Sequence, residues 1–143
     1  MAQVGLLEDN VRIANLCATM LQYAGHRVTI YEHPRKCLDA LLATPGTGER
    51  WQQVPRVATS SDLPVDVLIL DLNLPDITGM EVVNFLRAHQ NTEALPLIFC
   101  TAATPAEVHR ALRAAPGSSF LEKPFSFQEL ASAIATALKV EVR

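Results

Sequence analysis

The sequence has no run approaching the roughly 18 to 20 unbroken apolar residues that a membrane span requires. Its start, Met1-Ala2-Gln3-Val4, has no basic stretch ahead of an apolar one, so a secretory leader is not expected and the chain reads as cytoplasmic. There is no C-x-x-C pair: Cys17, Cys37 and Cys100 are odd in number and far apart, which removes the usual spacing for zinc or dithiol redox chemistry. They read as reduced thiols packed as small apolar residues. His26, His33, His89 and His109 form no metal-spaced pair and read as surface or packing residues. No Gly-rich block exists to cradle a nucleotide, so a self-phosphorylating kinase is excluded. Basic excess is missing too: the net charge of −3 gives no general pull toward nucleic acid.

What is present suits one globular domain. The 143 residues are 49% hydrophobic and 19% charged, enough apolar material for a core. Short apolar runs alternate with helical patterns. Strands are predicted at 4–7, 27–31, 65–70, 95–100 and 119–122. Helices are predicted at 11–24, 34–43, 79–89, 105–115 and 126–138. Asp9 or Asn10 would cap the first helix and Gly25 would stop it, Pro34 would open the second, and Ser126 with Glu129 would form a capping box on the last. Residues 44–64 have no period and hold Pro45, Gly46, Gly48, Trp51 and Pro55; they read as a long irregular insertion.

Five repeats of strand then helix mean an α/β fold with a parallel sheet and helices on both faces. One common solution at this size is a single doubly wound five-stranded sheet of order 2-1-3-4-5, flavodoxin-like, with the ligand site beyond the carboxyl ends of the strands. Glu8 and Asp9 come directly after the first strand, Asp71 after the third, Thr101 after the fourth, and Lys123 with Pro124 after the fifth. A strand-end Asp by itself is often a cap or turn residue, and a lone Lys is usually solvated. Joint placement on one rim argues otherwise. Two carboxylates about 4 Å apart repel by roughly 4 kcal/mol at an effective dielectric near 20. Three cannot all stay ionised there without a cation, and Lys123 supplies only one charge. Mg²⁺ fits the remainder, and the arrangement suits phosphoryl transfer to a carboxylate.

Four pieces, in order, carry a family resemblance: Glu8-Asp9; the block from Asp71 through Asn73, Pro75 and Asp76 to Gly79; Cys100-Thr101-Ala102; and Phe120-Leu121-Glu122-Lys123-Pro124-Phe125. Over nearly the whole chain the sequence resembles the response-regulator receiver domains of two-component signalling. The resemblance implies one receiver domain over 1–143, with a core at about 3–139 and the insertion at 44–64. It implies that Asp71 is the phosphoacceptor, that Asp9 binds Mg²⁺ directly, that Glu8 helps through water, and that Asn73 offers its backbone carbonyl. Thr101 and Ala102 would meet the phosphoryl group, Lys123 would pair with its oxygens, and Phe120 would be the aromatic switch. Lys123-Pro124 would be a cis peptide, and Gly79 would permit a tight turn into the third helix.

The implied partners are a sensor histidine kinase or phosphotransfer protein, and an output domain or effector on the face of helix 4, strand 5 and helix 5. A second copy of the chain could join on phosphorylation; direct nucleic-acid and membrane contacts are not expected. The chain would be a switch rather than an enzyme, either stand-alone or the N-terminal part of a longer regulator. Ser118 and Ser119 are not the acidic residues that winged-helix relatives often carry there. Two other classes compete with this reading. A haloacid-dehalogenase-like phosphatase uses Asp-x-Asp after its first strand, whereas Asp71-Leu72-Asn73 comes after the third and lacks the second acid. A pseudo-receiver that only binds partners would have lost an acid or the lysine.

Overall fold

The structure, a computed structural model, describes residues 2–42, 65–72, 74, 78–89, 92–101, 104–115, 118–123 and 125–142. In chain order the elements are β1 (Gln3–Leu7), α1 (Val11–Tyr23), β2 (Arg27–Tyr31), α2 (Pro34–Leu42), β3 (Val67–Leu70), α3 (Gly79–Arg87), β4 (Leu97–Thr101), α4 (Pro105–Ala114), β5 (Ser119–Glu122) and α5 (Phe127–Val142). The strands form one parallel sheet of order β2-β1-β3-β4-β5, as the strand–helix alternation predicts.

Side-chain alternation along the strands divides the apolar residues between two cores. Val67 and Ile69 of β3 face α1 and α5, where they meet Ala14, Cys17, Leu21, Leu130 and Ile134. Leu68 and Leu70 face α2, α3 and α4, where they meet Leu38, Val82, Leu86 and Ala111. All four are buried, which is why β3 is an unbroken apolar run rather than an alternating one. Each such side chain contributes about 1.5–3 kcal/mol on burial. The three cysteines are buried as well. Burial pushes the Cys17 thiol up to about 11 and Cys37 up to about 12, and raises Cys100 further, so they behave as apolar filler.

Local signals set the helix ends. Asn10, not Asp9, caps α1, its side chain accepting from the Ile13 N–H at 3.2 Å. Gly25 lies just past the helix at φ 94°, in the left-handed region that glycine tolerates. Its N–H donates to the Gln22 carbonyl and that of His26 to the Leu21 carbonyl, both at 3.0 Å, which closes the end of α1. The Ser126–Glu129 capping box is present. Several boundaries move, β3 among them, which begins at Val67 rather than 65. β4 begins at Leu97 rather than 95, because ladder pairing with β3 starts at Leu97 opposite Leu68. α3 stops at Arg87 rather than 89, and α5 runs to Val142 rather than 138. The insertion at 44–64, with Trp51, lies outside the described residues. Its flanks do not: α2 ends at Leu42, and the chain re-enters at the amino end of β3, where Val65 is buried and the Asp66 N–H donates to the Gln3 carbonyl at 2.6 Å.

Candidate functional site at the carboxyl rim

Strand register brings the predicted residues together. Leu7 stands opposite Leu70, so the next residues, Glu8 and Asp71, lie side by side, and the Asp71 N–H donates to the Leu7 carbonyl at 3.4 Å. Leu70 is level with Phe99, and Phe99 with Phe120. Lys123 therefore leaves its strand two residues beyond the level of Asp71, roughly 6–7 Å higher at strand rise. From there its side chain runs back across the end of β4.

The Lys123 ammonium donates to Glu8 Oε1 and to Asp71 Oδ2, both at 2.8 Å. These contacts join residues 115 and 52 positions apart in the chain. Both carboxylates are nearly out of solvent: Glu8 is 4% exposed and Asp71 8%. Burial alone would push the Lys123 ammonium down, but its hydrogen bonds to Asp71 and Glu8 outweigh that and hold it above its ordinary value. Glu8 has a second task, since its Oε2 accepts from the Asn10 N–H at 3.2 Å. Asp9, one residue on, is exposed.

Among the described residues, two carboxylates aimed at one point share the Lys123 ammonium, an excess of one formal negative charge, or of two with Asp9. Oxygen donors and that excess suit a hard divalent ion. Among the described residues no three His, Cys, Asp or Glu side chains close on one point. Asp9, exposed and one position beyond Glu8, is the acid that would complete such a set by turning in over the rim beside Asp71. The residues present fit Mg²⁺ on those terms.

The rest of the predicted set divides cleanly. The backbone of Thr101 ends β4 opposite Glu122, at the rim. Phe120 is half-buried against the core beneath α4 and lines a pocket of about 240 Å³ with Pro105, Val108, His109 and Leu112. Asn73, Ala102 and Pro124, and with it the Lys123–Pro124 peptide, lie outside the described residues. Gly79 stands at the turn into α3, where its backbone approaches the segment after β3 closely. Its φ is not in the left-handed region. Instead the Asp71–Leu72 backbone passes where its side chain would be.

Two features of the rim escape the sequence reading. Thr78 with Glu81 and Thr104 with Glu107 each form a complete capping box, fixing the starts of α3 and α4 beside the site. The signal is in the sequence as Thr-x-x-Glu ahead of a helical pattern.

Comparison with known proteins bears on the same residues. Residues 4–135 match the response regulator receiver domain family. The transcriptional regulatory protein CreB of Escherichia coli is 35% identical over 137 residues, covering 95% of this chain and 50% of CreB. TcrX of Mycobacterium tuberculosis, a probable transcriptional regulator, is 27% identical, covering 87% of this chain and 44% of TcrX. The chain spans about half the length of the curated relatives it matches. Chemotaxis protein CheY4 of Vibrio cholerae superimposes with a TM-score of 0.73 at 25% identity, over 96% of this chain and 98% of CheY4. The receiver domain of sensor histidine kinase PA1611 from Pseudomonas aeruginosa, solved with a magnesium ion in its active site cleft, shares the fold. Its TM-score is 0.75 at 22% identity, over 96% of this chain and 98% of that one. With a family match across the whole sheet and relatives that are themselves response regulators, the chain belongs to the response-regulator receiver domain family of two-component signalling.

Proposed function

We propose that Asp71 is the phosphoacceptor of this receiver. The observation that carries the reading is the single ammonium of Lys123 held at 2.8 Å by both Asp71 and Glu8 at the carboxyl rim. In the transfer, an Asp71 carboxylate oxygen forms a bond to phosphorus while the bond from phosphorus to the donor's imidazole nitrogen breaks. The nitrogen keeps that electron pair, and Asp71 becomes an acyl phosphate. Lys123 supplies a fixed positive charge where phosphoryl oxygens arrive. Asp9, Asp71 and the Asn73 carbonyl would hold Mg²⁺, with Glu8 adding charge nearby. Bound there, Mg²⁺ would supply the positive charge that neutralises phosphoryl oxygens. PA1611, of the same fold, is described with magnesium in its cleft.

Phosphorylation adds about −1.5 to −2 charge and three acceptor oxygens. Thr101 and Ala102 would meet those oxygens, and Phe120 would turn inward, changing the face built by α4, β5 and α5. That face would engage an output domain, an effector or a second copy of the chain. The phosphoryl donor is a sensor histidine kinase or phosphotransfer protein. The chain would work in the cytoplasm, without direct nucleic-acid or membrane contacts, and catalyse only its own phosphotransfer and slow dephosphorylation. Among the described residues no helix is long and apolar enough to cross a membrane. The test is labelling by acetyl phosphate, which should need Mg²⁺ and disappear in Asp71→Asn. Equal labelling of that variant would put the acceptor elsewhere.

A further inference from the structure

The register that aligns the carboxyl rim also aligns the amino rim, where other side chains meet the sheet. Gln3 stands opposite Arg27 and Val4 opposite Val67. Ala2 is therefore level with His26 on one side of β1, and Gln3 with Asp66 on the other. Each contact is double. The Ala2 N–H donates to His26 Nδ1 at 3.1 Å, and the Ala2 carbonyl accepts from the Arg27 N–H at 2.9 Å. The Gln3 N–H donates to Asp66 Oδ2 at 2.8 Å, and the Gln3 carbonyl accepts from the Asp66 N–H. Side chains thus take the place of strand carbonyls for the N–H groups that lead into β1. Ala2 is 3% exposed and packs in the core between the sheet and helices α1 and α5. His26 is half-buried, and its own N–H, held by the Leu21 carbonyl after the turn at Gly25, fixes where the ring stands.

We propose that His26 is a proton-operated latch on the start of β1: neutral, it holds the Ala2 N–H; protonated, it releases it and opens the core at the amino rim. A neutral imidazole that accepts at Nδ1 carries its proton on Nε2. A second proton, taken from solvent at Nδ1, occupies the accepting lone pair and sets one donor against another. The Ala2 N–H then loses its partner, and only the Ala2 carbonyl still ties the chain start to β2. The surroundings favour the neutral ring: burial first, and the chain's amino group second, push the imidazole below its ordinary 6.5. Across β1, Asp66 is committed to the Gln3 N–H. Arg27 is exposed, and Tyr23, in the last turn of α1, packs on Phe127. The closing carbonyls of α1, which would draw an imidazolium, already accept from the N–H groups of Ala24, Gly25 and His26. Because the folded value is depressed, the latch's contribution to stability is full above 6.5 and fades as the pH falls below it. The latch lies at the opposite rim from Asp71 and does not depend on the phosphoacceptor reading.

The experiment follows the parent, His26→Asn and His26→Ala by NMR from about pH 8 down to about pH 5, the range in which histidine switches. Asn puts its Oδ1 where Nδ1 stands and does not titrate; Ala removes the acceptor. The ring resonances give the His26 midpoint. Protection of the Arg27 amide against hydrogen exchange, relative to its intrinsic rate, reports whether the Ala2 carbonyl is still held. In the parent, protection should fall roughly two- to tenfold, the loss of about one hydrogen bond, at the midpoint of His26 itself. That midpoint should lie below 6.5. His26→Asn should stay protected throughout, and His26→Ala should be poorly protected at every pH. A His26 midpoint at or above 6.5 overturns the latch, as does Arg27 protection with no step at that midpoint, or an equal step in His26→Asn. Should His26→Ala fail to fold, the parent and His26→Asn decide the matter between them.

Discussion

Gly79 and Leu72 meet backbone to backbone: a Cβ on Gly79 would lie 2.5 Å from the Leu72 Cα and 2.6 Å from the Asp71 carbonyl oxygen. The Gly79 N–H donates to the Leu72 carbonyl at 3.1 Å, so the start of α3 is pinned against the segment that presents Asp71. No flexible side chain is involved, so nothing nearby yields cheaply. Gly79→Ala must push that segment away and should cost about 1–3 kcal/mol, the usual range for overpacking. Urea denaturation measures the loss. Labelling by acetyl phosphate should slow in the protein that remains folded, because Asp71 moves; an unchanged midpoint and rate would contradict the close approach.

Lys123→Met should expose the electrostatic problem the lysine solves. Glu8 and Asp71 would then face each other without the lysine between them, and the metal-free protein should lose about 1–3 kcal/mol of stability. A divalent ion can replace the missing charge. The stability gap between variant and parent should therefore narrow as Mg²⁺ rises, since binding to the folded state alone stabilises in proportion to the logarithm of concentration. Thermal melts across a Mg²⁺ series give the answer, and parallel curves for the two proteins would refute it.

Alkaline stability should report the buried thiols. A thiol whose folded value is raised is protonated in both states below its ordinary 9.0; above that, the unfolded chain releases its proton and the folded chain keeps it. Stability then falls as pH rises, by up to about 1.4 kcal/mol per pH unit for each thiol. For Cys37 the fall should continue toward its folded value of about 12. Between pH 9 and 10 the thiols act below the ordinary values of Tyr31 (10.0) and Lys123 (10.5). Cys37→Ala should be less stable at neutral pH but show a shallower decline across that window in urea titrations. An equal slope would mean that Cys37 does not contribute.

The insertion at 44–64 should be dispensable for the chemistry. It joins the end of α2 to the amino end of β3, whereas Asp71 stands at the carboxyl end of that strand. Loop length itself costs little, about 0.6 kcal/mol per doubling. With residues 45–61 replaced by a short Gly-Ser linker, the protein should fold and label within about threefold of the parent rate, equivalent to roughly 0.7 kcal/mol in barrier. A folded variant slowed by about a hundredfold would mean that the insertion reaches the rim.

The sequence by itself determined the alternation of strands and helices, the two-sided burial of Val67–Leu70, the helix stop at Gly25 and the capping box at Ser126, and narrowed the first cap to Asp9 or Asn10. Each depends on neighbours within about four positions, where periodicity and capping chemistry operate. It also put Glu8, Asp71, Thr101 and Lys123 at the carboxyl ends of β1, β3, β4 and β5, because the residue at a strand's end is legible once the strand itself is. Only the tertiary structure decided that Glu8 turns inward and Asp9 outward, that Lys123 reaches back across β4 to both carboxylates, and that Gly79 is required by a crossing backbone. Those relations join residues far apart in the chain. They depend on strand order, on register and on how far one strand end stands above its neighbours, and none of these leaves a local pattern in the sequence.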